Sequence, residues 1–113
     1  MHELSICEGI ISIVNSEAEK QGFKRVLEID LSVGEYSGIV CECIREFFPI
    51  AAAGSTAEHA ELKMSTIPGS FRCLDCGYEG PVDRHEACCP KCKSWALKMI
   101  HGREFYVEQL KVE

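Results

Sequence analysis

No run of apolar residues in this chain approaches the ~20 that a bilayer-spanning helix requires. The opening Met1-His2-Glu3-Leu4 has neither the basic nor the apolar region of a secretion signal, so a cytoplasmic location with reduced thiols is expected. Positive charge is scarce. Twelve Lys and Arg stand against eighteen Asp and Glu, a formal charge of −6. A general nucleic-acid binder needs clustered cations to meet phosphate, and this chain lacks the excess. The phosphate loop Gly-x-x-x-x-Gly-Lys-[Ser/Thr] is absent, and no nucleophile–base pair stands out. Nucleotide hydrolysis, and enzyme activity in general, are therefore not expected. Apart from one doubled cysteine motif there is no internal repeat and no low-complexity segment.

What the chain does have is eight cysteines in 113 residues. In a secreted protein an even count would suggest disulfides, but reduced thiols read as metal ligands or buried side chains. The length suits one modest domain, or a small domain carrying an inserted module.

The apolar pattern sets the order of elements. Leu4, Cys7, Ile10, Ile11, Val14 and Ala18 recur at three- and four-residue steps, which predicts an amphipathic helix over 3–21 closed by Gly22. The period then switches to two. Leu27, Ile29, Leu31 and Val33 alternate with Glu28, Asp30 and Ser32, as in a strand with one face to solvent. Gly34 and Gly38 bracket a turn. Ile39, Val40, Ile44, Phe47 and Phe48 favour a second helix that Pro49 should kink or stop. Residues 57–66 read as a strand with Leu62 and Met64 inward, broken by Pro68-Gly69. Residues 105–112 read as the last strand. The fold class expected is α+β, a small three-stranded sheet with two helices, plus an inserted four-cysteine zinc ribbon. The division expected is 1–69 and 104–113 for the α+β domain and 70–103 for the ribbon.

The ribbon motif is Cys73-Leu-Asp-Cys76, twelve residues, then Cys89-Pro-Lys-Cys92. Each Cys-x-x-Cys pair presents two sulfurs through a tight turn, and two pairs complete the tetrahedral S₄ shell that zinc favours. Gly77 and Pro90 supply turn chemistry. Iron in a rubredoxin-like site is the chemical alternative. Cys88 adjoins Cys89 and is an alternative third ligand, although Cys89 matches the spacing of the first pair. Residues 71–103 carry six basic and four acidic side chains, so with four thiolates and Zn²⁺ the module is near neutral. A DNA-binding ribbon would show a basic face. The full S₄ shell also leaves no open position for catalysis, so zinc is expected to be structural.

A second metal locus is suggested at the other end. The Met1 amine, the residue 2 amide and the His2 imidazole can form fused chelate rings, and the Glu3 amide can fill a fourth in-plane position. Such nitrogen-rich planar shells suit Ni(II) or Cu(II). Taken alone, His2 is equally an ordinary residue before a helix, and Glu3 a helix-start acid favoured by the macrodipole.

The Met-His-Glu-Leu-Ser start, the stretch from Lys24-Arg25-Val26 through Val33-Gly34-Glu35-Tyr36-Ser37, and the late Cys-x-x-Cys pairs lie in order at suitable distances. Together they make the whole chain resemble the HypA/HybF family of hydrogenase maturation factors. The resemblance implies a nickel metallochaperone for [NiFe]-hydrogenase, and in some bacteria also for urease. It implies nickel held by His2 with backbone nitrogens of Met1 and Glu3, and zinc held by Cys73, Cys76, Cys89 and Cys92. The implied partners are a HypB-type GTPase, the hydrogenase large subunit precursor and urease accessory proteins, with the chain itself a monomer or weak homodimer. Cys88 departs from the simple family pattern.

The remaining donors read as follows. His59, His85 and His101 are expected at the surface, although His85 and His101 could approach a metal. Cys7 falls on the apolar stripe of the first helix. Cys41 and Cys43, two apart, would point to different sides of a helix and read as packed thiols. A competing reading makes the chain a zinc-ribbon adaptor that uses zinc only as a staple.

Overall fold

The computed structural model describes residues 3–113. The chain divides into two compact units. The first takes in the chain up to Ser32, Ile39–Ser65 and Tyr106–Glu113; the second takes in Val33–Gly38 and Thr66–Phe105.

Helix α1, Glu3–Gln21, buries Cys7, Ile10, Ile11 and Val14, the middle of the stripe read from the sequence. Leu4 at its start stays exposed. The helix ends as expected: the Gly22 N–H donates to the Ala18 carbonyl at 2.8 Å, with Gly22 at φ +76°. Helix α2, Cys41–Ala52, packs on α1 through Ile44, Phe48 and Ala52, spaced four apart. The Cys7 thiol donates to the Ile44 carbonyl at 3.6 Å. Pro49 lies inside this helix three residues before Ala52 ends it, near its end as read from the sequence. Proline costs one backbone hydrogen bond, and Phe48 and Ala52 on either side of it are buried.

One three-stranded sheet has the order β2-β1-β6, with β1 Val26–Gly34 in the middle, β2 Glu61–Ile67 and β6 Phe105–Val112 at the edges. The last strand has the bounds read from the sequence. The second strand starts later than read. Residues 57–60 form turns around the buried Ala57, where the Ser55 hydroxyl accepts the Ala57 N–H and the Ala57 carbonyl accepts the Ala60 N–H.

The central strand corrects the alternation argument. Ile29, Leu31 and Val33 are buried as expected, but Leu27 is 44% exposed and Glu28 only 7%. Period-two reasoning gives the face of a side chain but not what its neighbours lay across it. Lys63 of β2 and Lys111 of β6 close over Glu28 at 3.1 and 3.4 Å, one on each carboxylate oxygen. Ser32 is buried too, its hydroxyl donating to Glu108 at 2.5 Å. Asp30 Oδ1, midway between Glu28 and Ser32 in the chain, is buried without a hydrogen-bond partner.

The second unit carries a small antiparallel sheet of order β4-β3-β5: β3 Ser70–Cys73, β4 Glu79–Gly80 and β5 Leu97–His101. Residues 33–38 belong to it through backbone bonds. The Gly34, Glu35 and Tyr36 N–H groups donate to the carbonyls of Glu104, Ile67 and Gly102 at 2.6, 2.9 and 2.6 Å. The Tyr36 ring meets Phe71 edge to face at 5.7 Å, and the Arg84 guanidinium lies 4.3 Å above it. Arg84 also pairs with Glu35 at 3.3 Å. Gly34 permits this approach, because a Cβ there would run into the Gly102 carbonyl.

Two outcomes follow for stability. Gly34→Ala must push the Gly102 backbone away and should cost about 1–3 kcal/mol in urea unfolding. The Glu28–Asp30 pair sets a pH signature. Lys63, the largest influence, holds the Glu28 carboxyl low, so its contribution is lost as pH falls through its folded value. Burial, then Glu28, push Asp30 up, so its contribution is present in acid and is lost as pH rises through its folded value. Asp30→Asn should therefore raise the melting temperature at neutral pH and leave it little changed in acid, by calorimetry across pH. A lower melting temperature at neutral pH would contradict this account.

Candidate metal centre

Both cysteine knuckles are built alike. In the first, the Gly77 N–H donates to the Cys73 carbonyl at 3.0 Å, with Gly77 at φ +81°. In the second, the Lys93 N–H donates to the Cys89 carbonyl at 2.9 Å, with Lys93 at φ +65°. The left-handed residue that closes each turn is four beyond its first cysteine. Sequence reading found it at Gly77 and missed it at Lys93, where no glycine marks the position. The turns also aim amides at sulfur. Lys91 and Cys92 N–H groups point to Cys89 Sγ at 3.3 and 3.4 Å, and those of Asp75 and Cys76 serve Cys73 in the same way.

The four sulfurs of Cys73, Cys76, Cys89 and Cys92 all lie within 4.8 Å of one another. Cys73 and Cys92 are 3.5 Å apart, and Cys76 and Cys89 are 3.6 Å apart. A tetrahedral zinc with Zn–S bonds of about 2.3 Å has sulfurs about 3.8 Å apart. The donor set and its spacing fit zinc. Cys73 and Cys89 are buried, whereas Cys76 and Cys92 are exposed. Among the described residues the cluster takes in Cys89 and not Cys88.

The electrostatics ask for a cation. Burial alone raises the Cys89 thiol, yet the N–H groups of Cys92 and Lys91 outweigh it and hold it at about 6. At Cys92 the Ser94 N–H favours the thiolate, but burial and the sulfurs of Cys73, Cys76 and Cys89 push it up to about 12. Four crowded sulfurs cannot all ionise unaided. A dication removes that conflict, and the closed S₄ shell gives it a structural role.

The other expected donors are scattered. Met1 and His2 lie outside the described residues. Glu3 opens α1, and its carboxylate charge acts on the Cys43 thiol. Burial, then Glu3 and Glu46, hold that thiol above its ordinary value. Cys7 is buried in the α1–α2 contact as expected, and Cys41 is half-buried. His59 and His85 are exposed, and His101 pairs with Glu104 at 2.8 Å. The Gly102 N–H and His101 together hold the Glu104 carboxyl at about 2. Among the described residues no histidine joins a metal-ligating cluster.

A family model described as hydrogenase/urease nickel incorporation, metallochaperone, hypA matches residues 1–112. The hydrogenase maturation factor HypA of Methanocaldococcus jannaschii is 40% identical over 121 residues, covering 100% of this chain and 98% of that one. Its counterpart in Dehalococcoides mccartyi is 36% identical over 113 residues, covering 100% and 95%. The solution structure of the Ni metallochaperone HypA from Helicobacter pylori superposes with a TM-score of 0.72 at 21% identity, over 99% of this chain and 97% of that one. A second HypA solution structure gives 0.76 at 22% identity, over 100% and 97%. These two likenesses speak for the fold.

Elemental analysis of the native protein and of Cys88→Ser should find one zinc per chain and no colour. Cys89→Ser should lose the metal and, with it, the circular-dichroism signature of the second unit. A coloured, iron-loaded native protein would favour the rubredoxin-like alternative, and metal loss in Cys88→Ser would reverse the ligand assignment.

Proposed function

This chain belongs to the HypA family of hydrogenase/urease nickel-incorporation metallochaperones, and we propose that it carries Ni(II) on Met1-His2-Glu3 for delivery to apo-hydrogenase. The observation that carries the reading is the Met-His-Glu start on a chain that matches the family over residues 1–112. The His2 imidazole is the principal donor, with the Met1 amine and backbone amides completing a planar nitrogen shell suited to Ni(II). Residues 1–69 and 104–113 form the nickel-handling part. Residues 70–103 form the ribbon, where zinc on Cys73, Cys76, Cys89 and Cys92 is structural.

The family is one of metallochaperones, not enzymes. Energy for transfer is then supplied by a partner, a HypB-type GTPase in this reading, and the acceptor is the hydrogenase large subunit precursor. Urease accessory proteins are a second class of recipient. Among the described residues no helix is long and apolar enough to cross a membrane, which agrees with work in the cytoplasm. A carrier must release what it holds, so the nickel affinity suited to this role is about micromolar, ~8 kcal/mol.

Calorimetric titration of Ni(II) into zinc-loaded protein should show one site per chain. His2→Ala, or an added residue before Met1, should weaken it severely, and lowering the pH should weaken it in native protein as the amine and imidazole take up protons. Unchanged binding in both variants would defeat the N-terminal site.

A further inference from the structure

The two cysteine knuckles are joined by more than the sulfurs of their cluster. The β3–β5 ladder runs on beyond its last pair, Cys73 with Leu97. The Leu74 N–H donates to the Ala96 carbonyl at 2.8 Å, and one step further the Ser94 hydroxyl donates to the Asp75 carboxylate. Asp75 lies inside the first knuckle, and Ser94 directly follows Lys93, the left-handed residue that closes the second. The Ser94 hydroxyl also accepts the Ala96 N–H at 3.1 Å, and its carbonyl accepts the Cys89 N–H at 2.8 Å. One half-buried residue thus bonds the first knuckle, the second knuckle and the segment that leaves it.

The place of this clasp relative to the sulfurs gives it a role. Asp75 adjoins Cys76, and Ser94 stands two residues beyond Cys92. These are the two exposed members of the cluster, the edge at which water or a competing chelator reaches a bound ion. Zinc leaves a closed S₄ shell only as its sulfurs let go in turn, so release is governed by how firmly the exposed pair is held. Each Cys-x-x-Cys pair is set by its own turn, but the two turns meet one ion only when their relative placement is fixed. We propose that Asp75 and Ser94 are positioning residues for the zinc site. Their hydrogen bond holds the Cys76 and Cys92 ends of the knuckles together and sets how slowly the ion is surrendered. Groups that orient metal ligands without touching the metal change its retention by roughly 10–100-fold. The clasp serves this role only if the cluster holds structural zinc as read above; failure of that reading shows as native protein that holds no zinc.

The test is the rate of zinc transfer from full-length, zinc-loaded protein to the chromogenic chelator pyridylazoresorcinol. The ligand-field bands of the Co(II)-substituted protein, which report the geometry of the sulfur shell, are the second readout. Ser94→Ala and Asp75→Ala should each release zinc about 10–100-fold faster and alter the Co(II) bands. Ser94→Thr and Asp75→Asn keep a hydroxyl donor and an oxygen acceptor, and should behave as native protein. The Asp75→Ala/Ser94→Ala double variant should be no faster than Ser94→Ala, since the shared bond can be lost only once. Arg72→Ala, which breaks an exposed 3.0 Å pair with Glu79 in the same sheet, should change neither readout. If Ser94→Ala takes up no metal, Asp75→Ala, at an exposed position, decides the question by the same readouts. Native release and native bands in the alanine variants would overturn the proposal. So would single effects that multiply in the double variant, or an Arg72→Ala protein that releases zinc as fast as they do.

Discussion

Four cysteine sulfurs gathered within 4.8 Å are the constraint on which the second unit depends. Among the described residues, the fully buried apolar side chains of that unit are Val33, Cys73 and Cys89. Two of these three belong to the metal cluster, so the cluster is most of the core. Elsewhere the unit relies on short strands, a few backbone bonds and the Arg84–Tyr36–Phe71 stack. A module with so little apolar burial needs a staple, and metal binding becomes folding energy. The first unit has no such need. Ile10, Val14, Ile29, Leu31, Ile44 and Phe48 give it an ordinary hydrophobic core between two helices and a sheet.

Charge follows the same division. The first unit carries twelve acidic and six basic side chains, which is the whole formal charge of −6. The second carries six of each. Acidity across the whole chain says little about function, but acidity confined to the unit that bears the Met-His-Glu start suits the handling of a cation. The second unit is neutral before its metal is counted and becomes negative once four thiolates and one Zn²⁺ are included. That sign opposes a phosphate backbone, which leaves the zinc-staple adaptor for nucleic acid without an electrostatic footing.

Much of this was legible in the sequence, and where it was not, the reason is physical. Helix α1, its glycine stop, the last strand and the four cysteines follow from local periodicity and spacing, which are properties of neighbouring residues. The burial of Glu28 is not local. It depends on Lys63 and Lys111 arriving from two other strands, and period-two alternation cannot see them. Lys93 went unnoticed because the turn geometry is carried by a residue that seldom adopts it. The resemblance of the opening pentapeptide and the late cysteine pairs supplied the nickel reading, which chemistry alone left open.

The proposed separation of two metals rests on the different demands of staying and leaving. A structural ion is best held by a closed, soft, tetrahedral shell, because every ligand must be lost before the ion departs. Residues 73 and 92 are brought together by that shell, and the loop it closes would be floppy without it. A cargo ion needs the opposite arrangement: donors that titrate near neutral pH, such as an amine and an imidazole, and an incomplete or exchangeable position through which an acceptor can enter. If both metals shared thiolate-only sites, the Irving–Williams order would let each compete for the other's place. Nitrogen donors in a planar array at one locus and four sulfurs in a tetrahedron at another remove that competition through geometry.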